Sequence, residues 1–183
     1  MDEQELYKNS KKEDIILEVR PYLYDLDRLL SKMSGEIVKG IRANSATSLK
    51  FYITIRFYDK KGYTITGDAI VTDYDGKTIG KCLLSRGPIS STIFCENIQE
   101  NIGYKLSNPD HYLSNIITII KNILNTVPSK EEQIIELQAS INLNSTPYDP
   151  KIFVYRPLEI INYNSNVSKI RLYNPKIIPL VEY

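Results

Sequence analysis

The sequence predicts an α+β fold: an antiparallel β-meander packed against one or two amphipathic helices, with a Pro/Tyr-rich extended C-terminal arm or hairpin. Three observations lead there. Leu49, Phe51, Ile53, Ile55 and Phe57 alternate with Lys50, Tyr52, Thr54, Arg56 and Tyr58, the period of a strand with one dry and one wet face. Two more such runs, YTITGDAIVTD and the less regular KTIGKCLLS, follow across DKKG and DYDG. Further on, Leu113, Ile116, Ile117, Ile120, Ile123 and Leu124 recur at the spacing of one broad helical face.

The chain opens with a polar stretch, MDEQELYKNSKKED, and then DIILEVR, which reads as a strand or as part of a longer helix. After it, Leu23, Leu26, Leu30, Met33 and Ile37 form a helical stripe. Pro21 suits the first turn of that helix, and Gly35 or Gly40 its end. The stripe reads as core packing, with a coiled-coil partner as the alternative.

In the meander, DKKG and DYDG each place Asp first and Gly fourth, the preferences of a type I turn closed by a left-handed glycine. A three-residue loop then sets Asp59 opposite Tyr63, so that Phe57 faces Ile65, Ile55 faces Gly67, Ile53 faces Ala69 and Phe51 faces Val71. At the second turn the same loop pairs Val71 with Ile79 and Gly67 with Leu83, and leaves Ala69 against Lys81. A short strand is expected at 90–94. Asn108 caps a helix over 109–126, with Pro109 in its first turn and Asp110 complementing its dipole. A further alternating strand lies in EQIIELQASINLN. The remainder holds five of the nine prolines, which bar it from the middle of a sheet. Residues 1–146 are thus expected to form the α+β domain. Residues 147–183 form an arm, or an edge hairpin of 151–161 and 168–173 across NYNSN.

The clustered carboxylates invite a metal-site reading, and the spacing rejects it. An EF-hand loop needs oxygen ligands at its first, third and fifth positions, Gly at the sixth and Glu at the twelfth. Counted from Asp73, the fifth residue is Lys77, the glycine comes fourth and Leu84 comes twelfth. Asp59, Asp73 and Asp75 are therefore turn residues, and neither a metal nor another cofactor is expected. Asp68 lies on the wet face, placed for a surface ion pair with Arg56.

Little other chemistry stands out. Cys82 and Cys95 lie in apolar surroundings and read as small buried thiols of a reducing compartment. The single histidine, His111, sits in a helix first turn without a neighbouring base or ligand. No phosphate loop or nucleophile elbow occurs, and a nuclease site of Asp68, Glu96 and Glu100 is the weakest reading considered. Net charge is +1, from 23 basic and 22 acidic residues mixed along the chain. That gives no field to steer nucleic acid or an anionic membrane. No apolar run has the length of a membrane span. The richness in Ile, Asn, Lys and Tyr matches the codon usage of an AT-rich genome.

These readings favour a non-enzymatic structural or assembly subunit of a larger complex, such as a virion or phage connector, neck or tail component. It would be cytoplasmic or incorporated in a virion. Its partners would be other protein subunits, in a homo- or hetero-oligomer, with no membrane and no dedicated nucleic acid. The partner-binding residues are expected in the C-terminal stretch: Tyr148, Phe153, Tyr155, Tyr163, Tyr173 and Tyr183. Deleting residues 162–183 is expected to leave a folded monomer. The alternative is a nucleic-acid-binding module using Lys50, Tyr52, Arg56 and Tyr58, which offer stacking and phosphate contacts.

Overall fold

The computed structural model describes residues 3–58, 62–126, 132–143, 158–163 and 167–173, with side chains from Glu18 onward and, in the last two segments, those of Ile170 and Leu172. Two helices and eight strands follow in the order α1 (Glu3–Ile41), β1 (Ser48–Tyr58), β2 (Gly62–Thr72), β3 (Thr78–Arg86), β4 (Ser91–Asn97), β5 (Ile102–Lys105), α2 (Pro109–Leu124), β6 (Glu132–Asn142), β7 (Leu158–Tyr163) and β8 (Val167–Tyr173). The strands make one sheet in the order β5-β4-β3-β2-β1-β6-β8-β7. Neighbours are antiparallel except β6 and β8, which run parallel. The α+β architecture is therefore the one predicted, with the meander extended on both sides.

Both helices lie on the dry face. Leu30, Met33 and Ile37 of α1 and Ile116, Ile117 and Ile120 of α2 join Phe51, Ile53, Ile55 and Ile65 of the sheet in one buried cluster. At α2 the predicted cap holds: the Asn108 side chain accepts the His111 backbone N–H at 3.4 Å. Pro109 opens the helix and Asp110 stands in its first turn.

α1 departs from expectation at both ends. It runs from Glu3, so DIILEVR takes the longer-helix reading of its two, and Pro21 lies inside the helix and not in its first turn. A proline there removes one backbone hydrogen bond and crowds the preceding turn. The buried stripe on both sides of it, Val19 and then Leu26 and Leu30, holds the helix together. Neither Gly35 nor Gly40 ends it. Arg42 takes the left-handed conformation (φ 58°), with Ala43 N–H bonded to Val38 O at 3.1 Å and Arg42 N–H to Lys39 O at 3.4 Å. This is a Schellman cap with arginine in the usual glycine position. Gly40 serves close approach instead: a Cβ there would overlap the Tyr104 ring of β5.

The hairpin registers also differ from the predicted ones. In the first, Phe57 faces Tyr63, Ile55 faces Ile65, Ile53 faces Gly67 and Phe51 faces Ala69, a slip of two residues from the predicted pairing. A two-residue slip keeps every side chain on its face, so the alternation could not detect it. The observed register brings the Phe57 and Tyr63 rings within 5.9 Å. It also puts Gly67 where a Cβ would come 2.6 Å from Tyr52 O. In the second hairpin the predicted loop is present, with Gly76 N–H bonded to Asp73 O at 3.0 Å. A bulge at Val71/Thr72 then moves Val71 opposite Gly80 and Ala69 opposite Cys82. The extra residue removes the predicted clash of Ala69 with Lys81 and turns Lys81 outward.

The strand expected at 90–94 is β4, which continues to Asn97 and returns as the unpredicted β5. Asn97 anchors this corner, its Nδ2 donating to Ile41 O at 3.2 Å. On the other side, β6 pairs with β1 along its whole length, Leu137 facing Ile53. In the C-terminal stretch β7 (Leu158–Tyr163) pairs with β8 (Val167–Tyr173) as an edge hairpin; residues 151–157 of the hairpin expected over 151–161 and 168–173 lie outside the described residues. Because β8 also pairs with β6 and buries Ile170 and Leu172, this hairpin belongs to the sheet and does not stand apart as an arm.

Candidate binding face

With α1 and α2 on one side of the sheet, alternation sends the other residues of β1–β6 to the opposite face. A row crosses its middle: Gln138, Tyr52, Asp68, Leu83, Phe94 and Lys105 stand side by side on successive strands. Leu83 is 67% exposed, Tyr52 43% and Phe94 42%. The Phe94 ring reaches over Gly103, where a Cβ would come within 2.9 Å of it. Towards the β1–β2 turn lies a row of short hydroxylated side chains, Thr54, Thr66, Ser85 and Thr92. The outer face thus carries exposed apolar side chains at its centre, beside a row of short polar ones.

Its charges are mixed. The cations are Lys50, Arg56, Lys81 and Lys105, and the carboxylates are Asp68, Glu96, Glu132 and Glu136. Lys50, Tyr52, Arg56 and Tyr58 do share this face, as the nucleic-acid reading requires. Carboxylates flank them: Asp68 stands opposite Tyr52, Glu136 opposite Thr54 and Glu132 opposite Tyr58. Arg56 Nε lies 3.2 Å from Glu132 Oε1. The predicted Arg56–Asp68 pair is therefore replaced, because the two-residue register change carries Asp68 away from Arg56.

The nuclease trio is not brought together. Asp68 and Glu96 are separated by β3, and Glu100 is in the turn after β4. Among the described residues, no group of three or more His, Cys, Asp or Glu could hold a metal ion. Asp73 acts as a turn residue: its Oδ1 accepts the backbone N–H groups of Asp75 and Lys77, both at 2.9 Å. Asp59 lies outside the described residues, as do Tyr148, Phe153, Tyr155 and Tyr183. Tyr163 and Tyr173 end β7 and β8.

Two features do not follow from the sequence pattern. Cys82 and Cys95 face each other across β3 and β4, with Cα atoms 4.0 Å apart, and form a disulfide in the core. The expectation of separate thiols is thereby corrected. The second is a polar network tying α2 to the β3–β4 hairpin. Arg86 donates from Nε to the Tyr63 hydroxyl at 2.8 Å and from Nη1 to Ser91 Oγ at 2.6 Å, and forms an ion pair with Asp110. Ser91 in turn donates to Asp110 Oδ1 at 2.5 Å. The Ser91 hydroxyl foremost, with Arg86 adding to it, holds the Asp110 carboxyl below its ordinary range against an opposing desolvation effect. The network clamps the start of α2 to the β3–β4 hairpin.

A groove of about 600 Å³ between the helices is lined by Asp25, Arg28, Leu29, Ser31 and Lys32 of α1 and Asn115, Thr118 and Ile119 of α2. No helix among the described residues is long and apolar enough to cross a membrane. The fold and site define an α+β protein with a one-sided sheet and a broad mixed outer face. No protein-family model matches the chain, and no curated protein and no solved structure matches it either.

Proposed function

We propose that this protein is a non-enzymatic assembly subunit that engages other protein chains through the outer face of its sheet, with a virion as the particular setting. The exposed Leu83–Phe94 pair, in line with Tyr52, carries the reading. Large apolar side chains grouped on a face that folding leaves open mark interaction surfaces. The alternating charges suit a protein partner better than a polyanion, which would meet Asp68, Glu132 and Glu136 beside every stacking tyrosine. The disulfide bears on setting, since such bonds persist on virion and cell surfaces and are rare in the cytosol. Tyr163 and Tyr173, which end β7 and β8, together with Tyr148, Phe153, Tyr155 and Tyr183, which lie outside the described residues, are a secondary candidate for partner contact.

Photo-crosslinking tests this directly. With p-benzoylphenylalanine at position 83, irradiation in the cells that make the protein should give discrete protein adducts, while the same probe at Glu100 should not. Absence of adducts from position 83 counts against the assembly reading. Micromolar binding of single-stranded oligonucleotides with a clear salt slope, abolished by Tyr52→Ala, would establish the nucleic-acid alternative instead.

A further inference from the structure

We infer that the partner on the outer face is a second copy of this chain, in a two-fold, sheet-on-sheet homodimer. The inference rests on the assembly reading and names its partner. Size is the first argument. With β1, β2 and β6 each eleven residues long, the face of β1–β6 alone covers roughly 800 Å² in plan, at about 3.3 Å per residue and 4.8 Å between strands. A stable interface takes about 800 Å² from each partner. One face therefore meets another without recruiting the helices.

Charge is the second argument. An isologous contact sets a surface against itself, so each copy must supply both members of every complementary pair. On β1–β6 the outer face carries four cations and four carboxylates, Arg56 and Glu132 already paired with each other, so a second copy meets no excess of either sign. A strongly acidic or basic partner would leave half of them opposed. Shape is the third. The Thr54–Thr66–Ser85–Thr92 row carries short side chains, while Tyr52, Leu83 and Phe94 in the next row are larger and exposed. Two such faces pack as the layers of a β-sandwich do, about 10 Å apart, with apolar side chains interleaved.

Sedimentation velocity of the purified full chain, from about 1 to 100 μM, covers the range in which such an interface dissociates when weak. The expected species has twice the chain mass. Leu83→Glu with Phe94→Glu should weaken self-association at least about tenfold, as loss of central apolar anchors does, with circular dichroism and thermal midpoint unchanged. Thr66→Arg, farther from that pair on the same face, should do the same and guards against a folding defect in the double variant. A dimer that survives these changes in folded protein overturns the inference. A monomeric chain whose position-83 probe still captures other proteins overturns the second copy and leaves the assembly reading standing. A monomer without adducts removes both. A chain that dimerises only when cut after Tyr173 shows the face covered by its own C-terminal residues, which also overturns the inference for the intact protein.

Discussion

Leu83 and Leu84 are neighbours on β3, chemically identical, and 67% and 3% exposed respectively. The contrast runs along β1 as well, where Phe51, Ile53 and Ile55 are at most 1% exposed while Tyr52 between them is 43% exposed. One face of the sheet is held by two helices and the other by nothing among the described residues. An apolar residue on the covered face is explained by folding. Leu83, Phe94 and Tyr52 have no such cover among the described residues, and the proposed association rests on that difference.

The largest expected effect concerns the edge of the covered face. Deleting residues 162–183 removes β8, which pairs with β6 and buries Ile170 and Leu172. The expected product is an unfolded chain by circular dichroism, contrary to the folded monomer expected from sequence. Cutting after Tyr173 should leave the fold in place, so the two truncations together show whether β8 belongs to the core.

Single substitutions sharpen the contrast between faces. Ile53→Ala or Ile117→Ala, both in the core cluster, should cost about 2–5 kcal/mol in denaturant unfolding, as large-to-small core changes do. Thr54→Ala, one residue away on the outer face, should stay within about 0.5 kcal/mol. Equal losses at both positions would mean that the outer face is packed in the monomer.

Replacing both Cys82 and Cys95 by Ala should destabilise by about 2–4 kcal/mol, because the bond restricts the unfolded chain across a thirteen-residue separation. Titration of the denatured, unreduced protein should find no free thiol, and two free thiols would restore the reduced reading. Asp73→Ala should cost about 1 kcal/mol, since two backbone N–H groups lose their shared acceptor.

The smallest effect is the pH dependence at Asp110. Its carboxyl is held below its ordinary range. The contribution is therefore present above the unfolded-state value and lost as pH falls through the lowered folded-state value. Asp110→Asn should flatten the stability curve in that acid window, with its small loss of stability seen at neutral pH, where the carboxylate's contribution is fully present, and fading at low pH. A loss confined to pH above 7 would assign the effect to another group.

Parts of the binding face are legible in the sequence. Alternation puts Lys50, Tyr52, Arg56 and Tyr58 on the wet side of β1, where they are. The row that makes the face a candidate is not legible, because it depends on how β3 and β4 pair. The disulfide does leave a trace. In a hairpin where Arg86 faces Ser91, positions 82 and 95 must also face each other, but a strand expected only at 90–94 stops one residue short of that pair. The Arg86–Ser91–Asp110 network joins residues from three elements, and no local pattern connects them.

What the sequence determined by itself was periodicity: which residues of β1, β2 and β6 share a face, where α2 begins at Asn108 and Pro109, and that DYDG turns. Those properties arise between residues a few positions apart, through strand alternation, helical spacing and capping. Tertiary structure alone decided the register of the first hairpin, the continuation of α1 through Pro21 to Arg42, and the place of β6 beside β1. It also decided the insertion of β8 between β6 and β7. A slip of two residues leaves the alternation unchanged, and partners far apart in the chain are chosen by packing. The exposed face of Tyr52, Leu83 and Phe94 exists only once those choices have been made.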